Sequence, residues 1–165
     1  MGDLQIRLAG VRDAAAIRAI YNLEVTTATS TFDLVSRSLA EQEDWLAARS
    51  GAFAAIVAVD GDGTVVGFAS LSPYKERAAY RTTVEDSVYV DRRRAREGIG
   101  TALLTRLLEV ARASGFHTVI ARIEASGEGS LALHARCGFE LVGIERQVGR
   151  KFNRWLDVAV MQRLL

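Results

Sequence analysis

The fold of this chain is decided by one stretch: Ser87-Val88-Tyr89-Val90-Asp91-Arg92-Arg93-Arg94-Ala95-Arg96-Glu97-Gly98-Ile99-Gly100-Thr101-Ala102-Leu103-Leu104. Its first residues favour β-structure, its middle crowds Arg92, Arg93, Arg94 and Arg96 together, and its end opens an amphipathic helix through Gly98-Ile99-Gly100. A helix N-terminus carries free N–H groups and about half a positive charge, and glycine lets the backbone approach an anion closely. Strand, turn and helix in this order read as a phosphate cradle, with pyrophosphate the natural guest. The turn is not a Walker loop, which ends Gly-Lys-Ser/Thr. Nor is it a GxGxxG dinucleotide turn, since Leu103 stands three residues after Gly100. A different nucleotide cofactor is implied. An ordinary helix start beside a solvated Arg face would look the same locally, so the rest of the chain must decide.

Downstream, the helix runs from Thr101 to about Ala113 with Leu103, Leu104, Leu107, Leu108 and Ala111 on one face, and Gly115 closes it. A strand Thr118 to Ile123, a short helix Ser130 to Arg136 ended by Gly138, and strands Glu140 to Val148 and Trp155 to Gln162 complete the chain. Upstream, Thr82 to Val90 is a β-run interrupted by Glu85-Asp86. Phe53 to Val59 and Thr64 to Ser72 form a hairpin about Asp60-Gly61-Asp62-Gly63. The lone proline, Pro73, should take the chain out of that strand into a polar loop from Tyr74 to Tyr80. Before these, Leu4, Ile6 and Leu8 alternate as a strand. Asp13 should cap a helix bearing Ile17, Ile20 and Tyr21, and Ser38 with Glu41 forms a capping box for a second helix, with a polar loop from Thr26 to Phe32 between the two. The order is β, α, α, β, β, β, α, β, α, β, β. It predicts one α/β layer of mixed sheet with helices on both faces.

The 165 residues are 49% hydrophobic and 25% charged, which suits a single domain over 1–165. Cys137 is the only cysteine, so no disulfide forms within the chain and no cysteine-based metal site is expected. A reducing, cytoplasmic location follows as the expectation. No apolar run reaches the ~18 residues that span a bilayer, and Asp3 and Arg7 interrupt the stretch Met1 to Gly10 where an export signal would be apolar. The net charge of +1 argues against a nucleic-acid binder, and the Arg cluster lacks the interleaved aromatics of one.

With these elements in place the chain resembles the GCN5-related N-acetyltransferase superfamily, whose coenzyme A signature, Gln/Arg-x-x-Gly-x-Gly/Ala, follows a bulged strand. The window here is Ala95-Arg96-Glu97-Gly98-Ile99-Gly100. Ala95 departs from the pattern, leaving Arg94 or Arg96 to meet the phosphates. The resemblance spans essentially the whole chain and is closest to the phosphinothricin, methionine sulfoximine and methionine sulfone N-acetyltransferases. It rests on Ile20-Tyr21-Asn22, Thr31-Phe32, Tyr74-Lys75, Tyr80-Arg81, Thr83-Val84-Glu85, Ser87-Val88-Tyr89-Val90, Ser130, Leu133-His134, Gly138-Phe139, Gln147-Val148-Gly149, Lys151-Phe152 and Arg154-Trp155-Leu156-Asp157.

The resemblance implies a sheet of about seven mostly antiparallel strands and acetyl-CoA as the acetyl donor. Coenzyme A would meet Val88, Tyr89 and Val90, then Arg96, Glu97, Gly98, Ile99, Gly100 and Thr101, with Ser130 and Arg136 on the later helix. A backbone N–H near Val88 in the splayed strand would hold the oxyanion. Glu85 would take the proton from the acceptor ammonium. His134 stands where many members place a thiolate-protonating Tyr; it is either that acid or a helix histidine that only contacts the cofactor. Phe32, Tyr74, Lys75, Tyr80 and Arg81 would receive a small amino-acid-like acceptor, with Arg81 pairing its carboxylate. Members of the family bring Phe32 and the segment from Gln147 to Trp155 to the acceptor from a neighbouring subunit, so a homodimer is expected. Asp86 replaces a His common in close relatives, and Gly127 replaces an Asn. Cys137 reads as a small core residue, not a nucleophile. Two other readings compete: a non-catalytic acyl-CoA sensor, and an acetyltransferase for another small amine or a protein N-terminus.

Overall fold

The computed structural model describes residues 3–165; Met1 and Gly2, which open the polar N-terminal stretch, lie outside the described residues. The elements appear in the expected order: β1 Gln5–Leu8, α1 Ala14–Thr27, α2 Leu39–Ala47, β2 Ala55–Val59, β3 Val65–Pro73, β4 Thr83–Val90, α3 Ile99–Ala113, β5 Thr118–Glu124, α4 Glu128–Arg136, β6 Glu140–Lys151 and β7 Arg154–Leu164. The strands form one seven-stranded sheet in the order β1-β2-β3-β4-β5-β7-β6. Every pairing is antiparallel except β4 with β5.

Helix α3 explains how the sheet is covered on one face. Its stripe of Leu103, Leu104 and Leu107 is fully buried against Ile56, Val66, Leu71 and Val84. Each such leucine contributes roughly 1.5–3 kcal/mol on leaving water. The other face receives Ile17, Ile20, Tyr21 and Val25 of α1 against Val57, Val59 and Phe68. Gly67 and Gly100 are required by close approach. A Cβ on Gly67 would sit 2.9 Å from Leu103, and one on Gly100 would sit 3.1 Å from Leu133 of α4.

Four local expectations need correction. Asp13 does not cap α1; its carboxylate turns back to accept from the Gly10 N–H at 2.8 Å and pairs with Arg7 at 2.8 Å. Pro73 stays in β3 opposite Val84, at the strand's last position, where no further ladder bond from it is needed. Strands β6 and β7 run on to Lys151 and Arg154, because Phe152 and Asn153 both adopt positive φ (50° and 59°) and close a two-residue turn of the mirror-image type. Finally, β4 keeps an unshifted register against β3 from Val84 to Val90, with no bulge between them. The opening that the bulge was expected to provide comes instead from β5, which pairs with β4 only at Thr83, Val84 and Glu85 and then diverges.

Candidate active site

The divergence of β4 from β5 makes the site. Beyond Glu85 no described strand pairs with β4 on its β5 side, so the N–H and C=O groups of Asp86, Val88 and Val90, which face that side, are free to pair with an extended, amide-bearing ligand, while those of Ser87 and Tyr89 face β3. The cleft has a volume of about 350 Å³ and is walled by Asp86 to Tyr89 of β4, Ala121 to Glu124 of β5, the loop residues Ala28, Thr29 and Ser30, and Ser130 and His134 of α4.

Side-chain alternation along β4 divides the chemistry between faces. Val84 packs into the α3-side core and Tyr89 into the α1-side core. Asp86 therefore faces α4, and Glu85 faces the α1 side. Glu85 is half-buried, and that burial raises its pKa above the ordinary 4.5, with Arg122 opposing. Arg122 itself pairs with Glu145 of β6 at 2.6 Å.

On the α4 side, Asp86 and His134 are buried together, their side chains 1% and 4% exposed, with Asp86 Oδ2 2.8 Å from His134 Nε2. His134 Nδ1 lies 2.8 Å from the Ser130 carbonyl one turn earlier. Burial works to lower the His134 pKa, but the Asp86 hydrogen bond and charge, with the Ser130 carbonyl, outweigh it and the net shift is upward.

At the far end of β4, the turn to α3 is shaped by left-handed residues: Arg96 at φ 66° and Gly98 at φ 81°. Three of the four arginines are already engaged. Arg92 pairs with Glu24, Arg93 with Asp91, and Arg94 with both Asp60 and Glu97. Arg96 has no side-chain hydrogen bond or ion pair among the described residues, which leaves it, rather than Arg94, available at the helix N-terminus.

The expected site residues do not all converge. Val88, Tyr89, Ser130 and His134 wall the cleft, and Glu85 stands one residue from it. Thr101 and Arg136 border a separate groove between α3 and β7. Tyr74 and Tyr80 pack edge to face, 5.6 Å apart, with Lys75 over both rings, but neither they nor Arg81 line the cleft. Phe32 rests on Gly149 of β6, and its loop is latched there: buried Lys151 donates to the Thr31 carbonyl at 2.8 Å, and the Tyr21 hydroxyl meets Thr31 Oγ1 at 2.8 Å. Sequence reasoning did not find Arg122, the loop Ala28 to Ser30, or the partnership of Asp86 with His134. The last was signalled by Glu85 and Asp86 standing side by side on a strand, which forces one carboxylate to each face.

A sheet splayed beside a glycine-opened helix, with carboxylates on both sides of the opening, defines a class: an acyl-transfer domain built to take an extended phosphate-bearing donor. The chain belongs to the GNAT acetyltransferase family, whose acetyltransferase (GNAT) domain model matches residues 6–160. It is 42% identical over 158 residues to an L-methionine sulfoximine/L-methionine sulfone acetyltransferase of Pseudomonas paraeruginosa, covering 95% of this chain and 92% of that one. Among solved structures, a Sinorhizobium meliloti phosphinothricin acetyltransferase in complex with AcCoA superposes with a TM-score of 0.94 at 38% identity, over 98% of this chain and 88% of the other. A ribosomal-protein-alanine N-acetyltransferase from Brucella melitensis superposes equally well, with a TM-score of 0.94 at 40% identity and coverage of 98% and 99%.

Proposed function

We propose that this chain moves the acetyl group of acetyl-CoA to the α-amine of a small amino-acid analogue, with phosphinothricin, methionine sulfoximine and methionine sulfone as the acceptor class. The observation that carries this reading is the unpaired β4 edge from Asp86 to Val90, ending at the free N-terminus of α3. Val88 and Val90 offer backbone groups to the pantetheine amides, and Tyr89, whose backbone faces Phe68 of β3, walls the cleft between them. Arg96, Glu97, Gly98, Ile99, Gly100 and Thr101 meet the pyrophosphate through the backbone N–H groups of the turn and of the first turn of α3, and Ser130 approaches from α4, whereas the Arg136 side chain borders the groove on the other side of α3. The fit is supported by positive φ at Gly98, by the uncommitted Arg96, and by the absence of a Cβ at Gly100.

The reaction needs a neutral amine, a polarised carbonyl and a proton for sulfur. Glu85, its pKa raised by burial, takes the proton from the acceptor ammonium, directly or through one water. A backbone N–H near Val88 holds the oxyanion that forms as nitrogen attacks. His134 supplies the proton for the departing thiolate. Attack is direct and involves no covalent enzyme intermediate. Cys137, the one candidate thiol, is buried in the α3-side core. Phe32, Tyr74, Lys75, Tyr80 and Arg81 receive the acceptor, Arg81 through its carboxylate.

Because most of these acceptor residues lie away from the cleft of their own chain, the reading includes a homodimer with shared sites. Support comes from the exposed Val148, Phe152 and Trp155 on the β6–β7 edge beside Phe32. A cytoplasmic location is proposed on the single buried, unpaired cysteine.

Steady-state acetylation across the three amines tests the reading. Turnover with acetyl-CoA is expected for at least one, and failure with every methionine sulfoximine-like acceptor overturns the substrate assignment. Similarity to the Brucella enzyme favours a second reading, acetylation of a protein N-terminus. A peptide beginning with alanine, in the same assay, decides between them.

A further inference from the structure

The pair on the opposite face of β4 from Glu85 has a hydrogen-bond arithmetic that fixes its proton. Two Ser130 oxygens approach His134 Nδ1, the carbonyl at 2.8 Å and Oγ at 3.4 Å; the carbonyl only accepts, so the nearer contact places the hydrogen on Nδ1 and leaves Oγ an acceptor as well. The contact from Nε2 to Asp86 Oδ2, also 2.8 Å, then requires one proton between them, whichever atom holds it. Asp86 and His134 thus share a single transferable proton and carry no net charge as a pair, the state that burial favours. Neither ring nitrogen has an N–H left over. Asp86 Oδ1 is buried with no hydrogen-bond partner among the described residues, and both side chains wall the cleft.

The geometry points to Asp86 and His134 acting as one buried acid that protonates the sulfur leaving the thioester, with the proton passing through the Asp86 carboxyl and not directly from the imidazole. This inference rests on the acetyl-transfer reading and names Asp86 as a catalytic residue within it. As the C–N bond forms and the C–S bond breaks, the electron pair of the broken bond stays on sulfur and takes the shared proton. An S–H bond results, and the pair is left as a carboxylate beside a neutral imidazole. The acceptor ammonium loses two protons in becoming an amide. One is balanced by the proton gained on sulfur and the other passes to water; the pair is refilled from water once the thiol departs.

Asp86→Asn separates bridging from proton transfer, because the amide N–H can still donate to Nε2 but has no proton to give up. Single-turnover rates are compared for two donors, acetyl-CoA and its selenoester analogue, whose selenolate leaves without protonation. Coenzyme A binding by calorimetry reports that the cleft is intact. The expected result is a loss of about 10²-fold or more with the thioester and a near-wild-type rate with the selenoester. Equal losses with both donors, or no loss with either, overturn the proposal. Should Asp86→Asn fail to fold, the wild-type protein supplies the test: proton removal by Glu85 is common to both donors, so a larger solvent deuterium effect on the single-turnover rate is expected with the thioester than with the selenoester, and equal effects overturn the proposal. Wild-type protein inactive with both donors on every amine would defeat the acetyl-transfer reading itself, a different outcome from an active enzyme indifferent to Asp86.

Discussion

Replacing His134 with leucine removes one half of a pair whose side chains are only 4% and 1% exposed. Among the described residues Asp86 Oδ1 already lacks a partner, and the substitution strips Oδ2 of the one donor it has there. A buried charge left alone in this way costs about 3–5 kcal/mol. For a chain of 165 residues each kcal/mol lowers Tm by roughly 2–4 °C, so the expected fall is about 6–20 °C. A double variant, His134→Leu with Asp86→Leu, removes the stranded carboxylate and should recover much of this loss, a non-additivity read from a double-mutant cycle by urea and thermal unfolding. The pH dependence has a defined sign. The folded His134 pKa is raised, so its stabilisation is complete below the unfolded value of about 6.5 and disappears as pH climbs through the folded value. Wild-type stability should decline over that window, and the double variant should show no such decline. A His134→Leu protein less than about 1 kcal/mol below wild type, or no less stable than the double variant, would refute the argument that burial makes this pair interdependent.

Glu85→Gln should lower kcat by about 10²- to 10⁴-fold with coenzyme A affinity unchanged by calorimetry. In the wild-type enzyme, kcat/KM should fall as pH drops through a value above the ordinary glutamate pKa of 4.5, because burial raises Glu85 and its protonated form cannot accept. Gly149→Ala would drive a Cβ into the Phe32 ring, and the displaced acceptor loop should raise KM for the amine by about tenfold, equivalent to about 1.4 kcal/mol, with KM for acetyl-CoA unchanged. Gly98→Ala meets no steric obstacle, yet it forces a Cβ into a backbone at φ 81°. It should cost about 1 kcal/mol in unfolding experiments and weaken coenzyme A binding measured by calorimetry.

Where a local rule had a single physical solution, the sequence already carried the structure. The Ser38–Glu41 capping box forms as written, with reciprocal bonds of 3.2 and 2.7 Å. The α3 leucine stripe is buried at the spacing that period 3.6 demands. The expected order of elements holds throughout. What escaped was set by partners distant in the chain or by uncommon backbone. Phe152-Asn153 lacks the glycine that normally marks a mirror-image turn, so two strands read as ending early. Asp13 stands where a helix cap belongs, but Arg7, a β1 residue, holds its carboxylate. Glu85 and His134 could be named as candidates, but that His134 spends both ring nitrogens on Ser130 and Asp86 depends on α4 lying against β4, a contact across 48 positions. Tyr74, Lys75 and Tyr80 do gather as a cluster, but away from the cleft, and linear pattern has no means of measuring that separation.

The unbroken ladder between β3 and β4 assigns chemical roles as well as holding a sheet together. Adjacent carboxylates on a pleated chain are distinguished only by parity. Sliding this strand one step along its neighbour would turn residue 86 toward the first helix and residue 85 toward the fourth, interchanging the proposed donor and recipient of protons without altering a single amino acid. Insertions or deletions in this strand should therefore abolish turnover more completely than replacing either carboxylate alone.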